Sequence, residues 1–189
     1  MEKIIILGVL AVFVIWSVTS YNQFVNLKHN IAKAWANIDV LLKQRHDELP
    51  KLIEVCKQYT QFEQSTLEKV MNARSAVFSA SQSRNIEALG NAETQLRSSL
   101  GQIFAVAEAY PELKANENFS YLLDRISTLE STIADRREFY NESVNLNNVR
   151  IEHFPDTLVA RLFGFGPFSL LKFTSNEKAD VDVSALFKN

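Results

Sequence analysis

The three histidines, His29, His46 and His153, are the first residues to test for chemistry, because imidazole supplies both metal ligands and acid–base groups near neutral pH. A di-metal carboxylate centre in a helical protein draws on Glu-x-x-His pairs from facing helices. The residues three places before these histidines are Asn26, Lys43 and Arg150, so that pattern is absent. There is no His-Glu-x-x-His run, no glycine-rich phosphate loop and no dinucleotide fingerprint. Serines, histidines and aspartates occur without the strand–turn–helix setting that displays a nucleophile. Cys56 stands alone, which excludes an intrachain disulfide and a multi-cysteine metal site, and it reads as a small apolar residue on a helix. The expectation is a protein that is not an enzyme, with no catalytic residue, cofactor or metal.

A few charged residues fall close to apolar stripes: Arg45, Arg74, Glu93 and Arg136. They read as ion-paired or solvent-facing flank positions. A sharper alternative is that some are buried pairs that fix the register between helices. The net charge of −2 offers no basic field to hold nucleic acid.

The elements follow from periodicity. Phe24, Leu27, Ile31, Ala34, Ile38 and Leu41 alternate three and four residues apart, as an amphipathic helix requires. Trp35 flanks this stripe, and Trp35, Ile38 and Leu41 are the expected core, with Trp35 largely buried. Around Arg45–Pro50, Lys43, Arg45 and His46 suit a helix C-terminus and Asp47 suits a new cap, so a turn is preferred over a kinked continuation. A second helix is expected from Leu52 to Val77, fraying at Ser79–Ser83. A third carries Ile86 to Tyr110 and ends at Pro111, with Gly90 and Gly101 permitting close helix contact. A fourth begins near Asn116–Asn118 and runs to Val144. Together they predict an all-α chain, an antiparallel up-down four-helix bundle.

Ahead of it lies a charge-free segment. Ile4, Ile5, Ile6, Leu7, Val9, Leu10, Val12, Phe13, Val14, Ile15 and Trp16 form an apolar run suited to lipid. Ile4–Ser20 as a helix spans roughly 25 Å, with Trp16 and Tyr21 suited to the headgroup level. The reading is a membrane anchor continuous with the first bundle helix. A cleaved signal ending near Val18-Thr19-Ser20, and a buried core helix, are the competing readings. Glu2 and Lys3 on one flank and Lys28 and Lys33 on the other leave orientation near a tie.

Beyond Arg150 the character changes. Pro155, Gly164, Gly166 and Pro167 interrupt regularity, and Phe154, Phe163, Phe165, Phe168, Phe173 and Phe187 accumulate. Thr157–Phe163 is expected as a short helix capped by Asp156, and Ser175–Asn189 as a flexible end. The tail either folds back on the bundle or docks onto a partner, a sister subunit or lipid headgroups, with Phe163, Phe165 and Phe168 as the candidate patch. The resulting division is 1–23 anchor, 24–149 bundle and 150–189 aromatic tail.

The chain resembles the LemA family. The matching residues are Tyr21-Asn22 with Val25 and Leu27; the block Ala34-Trp35-Ala36-Asn37-Ile38-Asp39-Val40; Leu49-Pro50-Lys51-Leu52-Ile53-Glu54; Tyr59 with Glu63; Ala73-Arg74; Tyr110 through Phe119; Arg136 with Tyr140-Asn141 and Val144; Asn147; and Phe154-Pro155. It departs from the family pattern at Gln44-Arg45, where two arginines are common, and at Lys51, where asparagine is common. The resemblance implies a bacterial four-helix bundle on a retained membrane helix, with the body in the cytosol and no known reaction. The functional expectation is a single-pass protein of the bacterial cell membrane, an interaction scaffold whose partners are the bilayer, another protein and a homo-oligomeric copy, with no nucleic acid. A self-assembling membrane-organising protein and an accessory subunit of a membrane enzyme such as a peptidase are the alternatives.

Overall fold

The computed structural model describes residues 1–172 and is all-helical, with no strand among them. The elements are α1 (Glu2–Cys56), α2 (Gln64–Gln82), α3 (Ile86–Ala109), α4 (Pro111–Lys114), α5 (Glu117–Glu152) and α6 (Asp156–Phe163). They form two compact units. One comprises Met1–Leu41 and Ser131–Leu170, and the other Leu42–Glu130 with Leu171 and Lys172. Both α1 and α5 contribute residues to each.

In the first unit, α1 opens with an apolar segment whose side chains from Ile4 to Ile15 are exposed. Its hydroxyls are satisfied on the helix itself: Ser17 Oγ donates to the Phe13 carbonyl at 2.8 Å and Thr19 Oγ1 to that of Ile15 at 2.9 Å. Further along, Phe24, Ile31, Ala34 and Ile38 are buried. The tail after α6 runs back along α5. Tyr140 Oη donates to the Ser169 carbonyl at 3.1 Å, and the Asn147 amide donates to that of Gly166 at 3.2 Å. The Asn148 side chain donates to the Phe168 carbonyl and accepts from its N–H, both at 2.9 Å. A side-chain amide thus mimics a strand neighbour and holds irregular chain in place.

In the second unit, α2 and α3 pack as a helical hairpin joined at Ser83–Asn85, where Arg84 takes a left-handed φ of 51°. Asn85 caps α3, its side chain accepting from Ala88 N–H at 3.0 Å. Pro111 ends α3 and occupies the first turn of α4, where its missing N–H costs nothing. Asn116 Oδ1 accepts from Phe119 N–H at 3.0 Å at the start of α5.

Several expectations need correction. No turn forms at Arg45–Pro50: α1 continues through Pro50 to Cys56. The break falls later, at residues 57–63, within the stretch that reads as one helix from Leu52 to Val77. Tertiary packing decides it, since Tyr59 and Phe62 both pack on Phe119, at ring-centroid distances of 6.4 and 5.9 Å. Ser79–Gln82 is helical rather than frayed. Trp35 is half-buried, not largely buried: it flanks the Ala34–Ile38 seam and packs edge-on against Tyr140, centroids 5.8 Å apart. Leu41 is half-buried too, because the seam steps four residues from Ile38 to Leu42, following the drift of a 3.6-residue helix against a 3.5-residue pattern. Gly90 approaches backbone of the tail rather than a helix, its α-carbon lying where a Cβ would collide with the Lys172 carbonyl, and Gly101 faces open space. Phe173, Phe187 and Ser175–Asn189 lie outside the described residues.

Candidate functional sites: a buried ion network and an aromatic junction

Three charged residues occupy core positions of apolar stripes. Arg45 lies between Leu42 and Leu49 on α1, Glu93 between Leu89 and Leu96 on α3, and Glu130 between Ile126 and Ile133 on α5, each spaced three or four from its neighbours. Helical geometry therefore aims all three inward. The Arg45 guanidinium reaches both carboxylates, one through each terminal nitrogen. Arg45 is 1% exposed and Glu93 2%. Arg97 adds a second cation, its Nε 3.6 Å from Glu130 Oε2. Two cations against two carboxylates make the network neutral.

Burial acts against the Arg45 charge, but Glu93 and Glu130 outweigh it and hold the guanidinium above its ordinary range. Burial pushes the Glu93 carboxyl up, with Arg45 opposing. The arrangement ties three helices in one register.

The next residue of α1, His46, stacks on Phe78, centroids 4.4 Å apart. Arg74 Nη2 lies 2.6 Å from His46 Nε2. A guanidinium has only donors, so Nε2 accepts and the ring proton sits on Nδ1. Burial and then the Arg74 charge lower the His46 pKa, Asp47 opposing. Arg74 Nε also donates to the His46 main-chain carbonyl at 2.8 Å. Arg136, by contrast, is exposed. Cys56 is buried, and burial pushes its thiol up to about 12, so it is inert near neutral pH. An open groove of about 670 Å³ is lined by Pro50, Ile53, Phe62, Leu67 and Met71 together with Glu54, Lys57 and Glu68. Among the described residues no group of three or more acidic, histidine or cysteine side chains is placed to hold a metal.

The second constellation joins α1 to α6. Ser20 Oγ donates to Asp156 Oδ1 at 2.7 Å, and Arg150 pairs with Asp156 at 2.9 Å while lying over the Phe24 ring. Asp156 is therefore the first residue of α6 and an ion-pair acceptor, not its side-chain cap as the sequence suggests. Val159 and Ala160 pack with Phe24, and Trp16, Leu27, Ile151 and Phe165 surround them. Gly164, at φ 71°, closes the helix in the left-handed conformation, and Phe165 N–H bonds back to the Ala160 carbonyl at 2.9 Å. That turn delivers Phe163 against Tyr21 at 4.8 Å, and Phe165 against Tyr21 at 5.6 Å and Phe24 at 5.0 Å. Of the three patch residues, Phe163 and Phe165 thus share Tyr21. Phe168 lies further along the tail, its backbone held by Asn148. Residues the sequence reading did not single out are Glu130, Asn148 and Asp156 as an ion-pair partner. Only Glu130 carried a signal, a carboxylate on an apolar seam.

These features define a class: an all-helical protein whose first helix carries a candidate membrane span and whose buried Arg45 is ion-paired with carboxylates from two other helices. A family model described as the LemA family matches residues 34–185, and the chain belongs to that family. It is similar to Magnetosome protein MamQ 2 of Paramagnetospirillum magneticum, 22% identical over 189 residues that cover 87% of this chain and 70% of the relative. It is likewise 22% identical over 179 residues to Magnetosome protein MamQ of Magnetospirillum gryphiswaldense, covering 82% and 66%. Protein LemA of Metamycoplasma hominis is 26% identical over 169 residues, covering 87% and 74%.

Proposed function

We propose that the chain is a single-pass, membrane-tethered helical scaffold of a bacterial cell membrane, which binds other proteins rather than transforming a substrate. The observation that carries this is the exposed apolar face of Ile4–Ile15 within a helix that continues without interruption into a packed helical body. A helix with large aliphatic side chains on every face and its hydroxyls internally bonded suits hydrocarbon. The paired Arg45, Glu93, Glu130 and Arg97 support a structural role for the residues that a catalytic reading would otherwise claim.

The test is purification of the full-length protein from detergent-solubilised membranes after carbonate washing, followed by affinity capture. Retention in the washed membrane and recovery of a reproducible protein partner or of a second copy is the expected result. A carbonate-extractable protein, or a strictly monomeric one that captures nothing, sinks the proposal. Labelling of Asn189→Cys with a membrane-impermeant maleimide in intact cells assigns the side on which the body lies.

A further inference from the structure

The face of α6 turned away from α1 has large apolar side chains that nothing in the described chain covers. Val159 and Ala160 are buried against Phe24, whereas Leu158 and Leu162, one turn apart on the opposite face, are exposed, Leu162 at 78%. Phe154, just before the helix, is 81% exposed. Arg161 is exposed beside them. The position of this face along α1 is fixed by contacts: α6 and its flanks meet Trp16, Ser20, Tyr21 and Phe24. Those α1 residues cover roughly 12 Å of helix rise, at the end of the apolar segment where a span leaves the hydrocarbon and enters the headgroups.

We infer that Phe154, Leu158 and Leu162 insert into the headgroup–acyl boundary of the same leaflet from which α1 emerges, so that α6 is an interfacial helix and its occupant is lipid. The proposal rests on reading Ile4–Ser20 as a membrane span. Continuity selects lipid as the occupant, because a helix clamped to the exit point of a span is already at interfacial depth. Short amphipathic helices bury an apolar face about 5–10 Å into that boundary, with cationic side chains reaching the phosphates, a role open to Arg161. Clamped by Ser20–Asp156 and Tyr21–Phe163, α6 acts as a collar that sets the depth and tilt of α1.

Nitroxide labels at Leu162→Cys, Val12→Cys and Tyr121→Cys in the full-length protein, reconstituted in phosphatidylcholine–phosphatidylglycerol vesicles, test this by their accessibility to oxygen and to a water-soluble nickel chelate. The buried Cys56 stays unlabelled. The expected result is a several-fold lower nickel-chelate accessibility at Leu162 than at the exposed Tyr121 position, with Val12 deeper still. Nickel accessibility at Leu162 equal to that at Tyr121, with Val12 in lipid, overturns the inference and leaves the span intact. A water-accessible Val12 overturns the span and the inference together. Spin–spin broadening at Leu162 that disappears on dilution with unlabelled protein shows a second copy on this face, and also overturns it. Leu158→Cys repeats the measurement should Leu162→Cys misfold.

Discussion

Arg74 occupies the hydrogen-bonding place that Pro50 leaves empty. In an uninterrupted α-helix the His46 carbonyl would accept from the N–H of residue 50, but proline has none. Arg74 Nε, from α2, donates to that carbonyl at 2.8 Å, while its Nη2 meets the ring of the same histidine. A proline that would ordinarily end or break the helix is thereby tolerated, and α1 runs on to Cys56.

This exchange is measurable as a double-mutant cycle. Arg74→Ala removes a charge-assisted donor and leaves the carbonyl unpaired, and is expected to cost about 1–3 kcal/mol. In a Pro50→Ala background residue 50 regains its N–H, so the same Arg74→Ala change should cost less, with a coupling of about 0.5–2 kcal/mol. Urea melts of the detergent-solubilised protein, followed by circular dichroism, read both numbers. Equal costs in the two backgrounds would show that Arg74 acts elsewhere.

The buried network predicts an asymmetry between breaking it and replacing it. Arg45→Met strands Glu93 and Glu130 in the core and should destabilise by about 3–5 kcal/mol. Replacing all three together, with Arg45→Met, Glu93→Leu and Glu130→Leu, removes the three inward-facing charges at once, leaves only the 37%-exposed Arg97 without its Glu130 partner, and should recover most of that loss. A triple variant no more stable than the single one would show that the pairing contributes net stability beyond charge satisfaction.

His46 gives stability a pH dependence of defined sign. Its folded pKa lies below the ordinary value of 6.5, so the unfolded chain takes up the proton first as pH falls. The contribution is fully present above pH 6.5 and is lost as the pH drops from there through the folded pKa. His46→Gln should flatten the melting-midpoint profile below pH 6.5. A profile unchanged by that substitution assigns the dependence to other groups.

The two helical glycines of α3 should respond in opposite ways. Gly101 faces open space, so Gly101→Ala is expected to stabilise by up to about 1 kcal/mol through helix propensity alone. At Gly90 a Cβ meets the Lys172 main-chain carbonyl, which has no flexible end to give way. Gly90→Ala should therefore displace the chain at Lys172, seen as faster amide exchange or proteolysis there, and forfeit the propensity gain. A stabilised Gly90→Ala with an undisturbed tail refutes the contact.

The sequence alone determined what depends on a short window. The apolar run from Ile4 to Trp16, the stripe through Phe24, Ile31, Ala34 and Ile38, the stop at Pro111 and the start at Asn116 are each set by neighbours within a turn or two. The presence of Arg45 and Glu93 beside apolar stripes was equally visible. Tertiary structure decided whatever joins residues far apart in the chain. Glu130 meets Arg45 across 85 positions, Arg74 reaches the His46 carbonyl across 28, and Asp156 receives Ser20 across 136. Local propensity treats a proline as a break because it counts only donors on the same helix. A donor supplied by another helix reverses that outcome, and no window of α1 contains it.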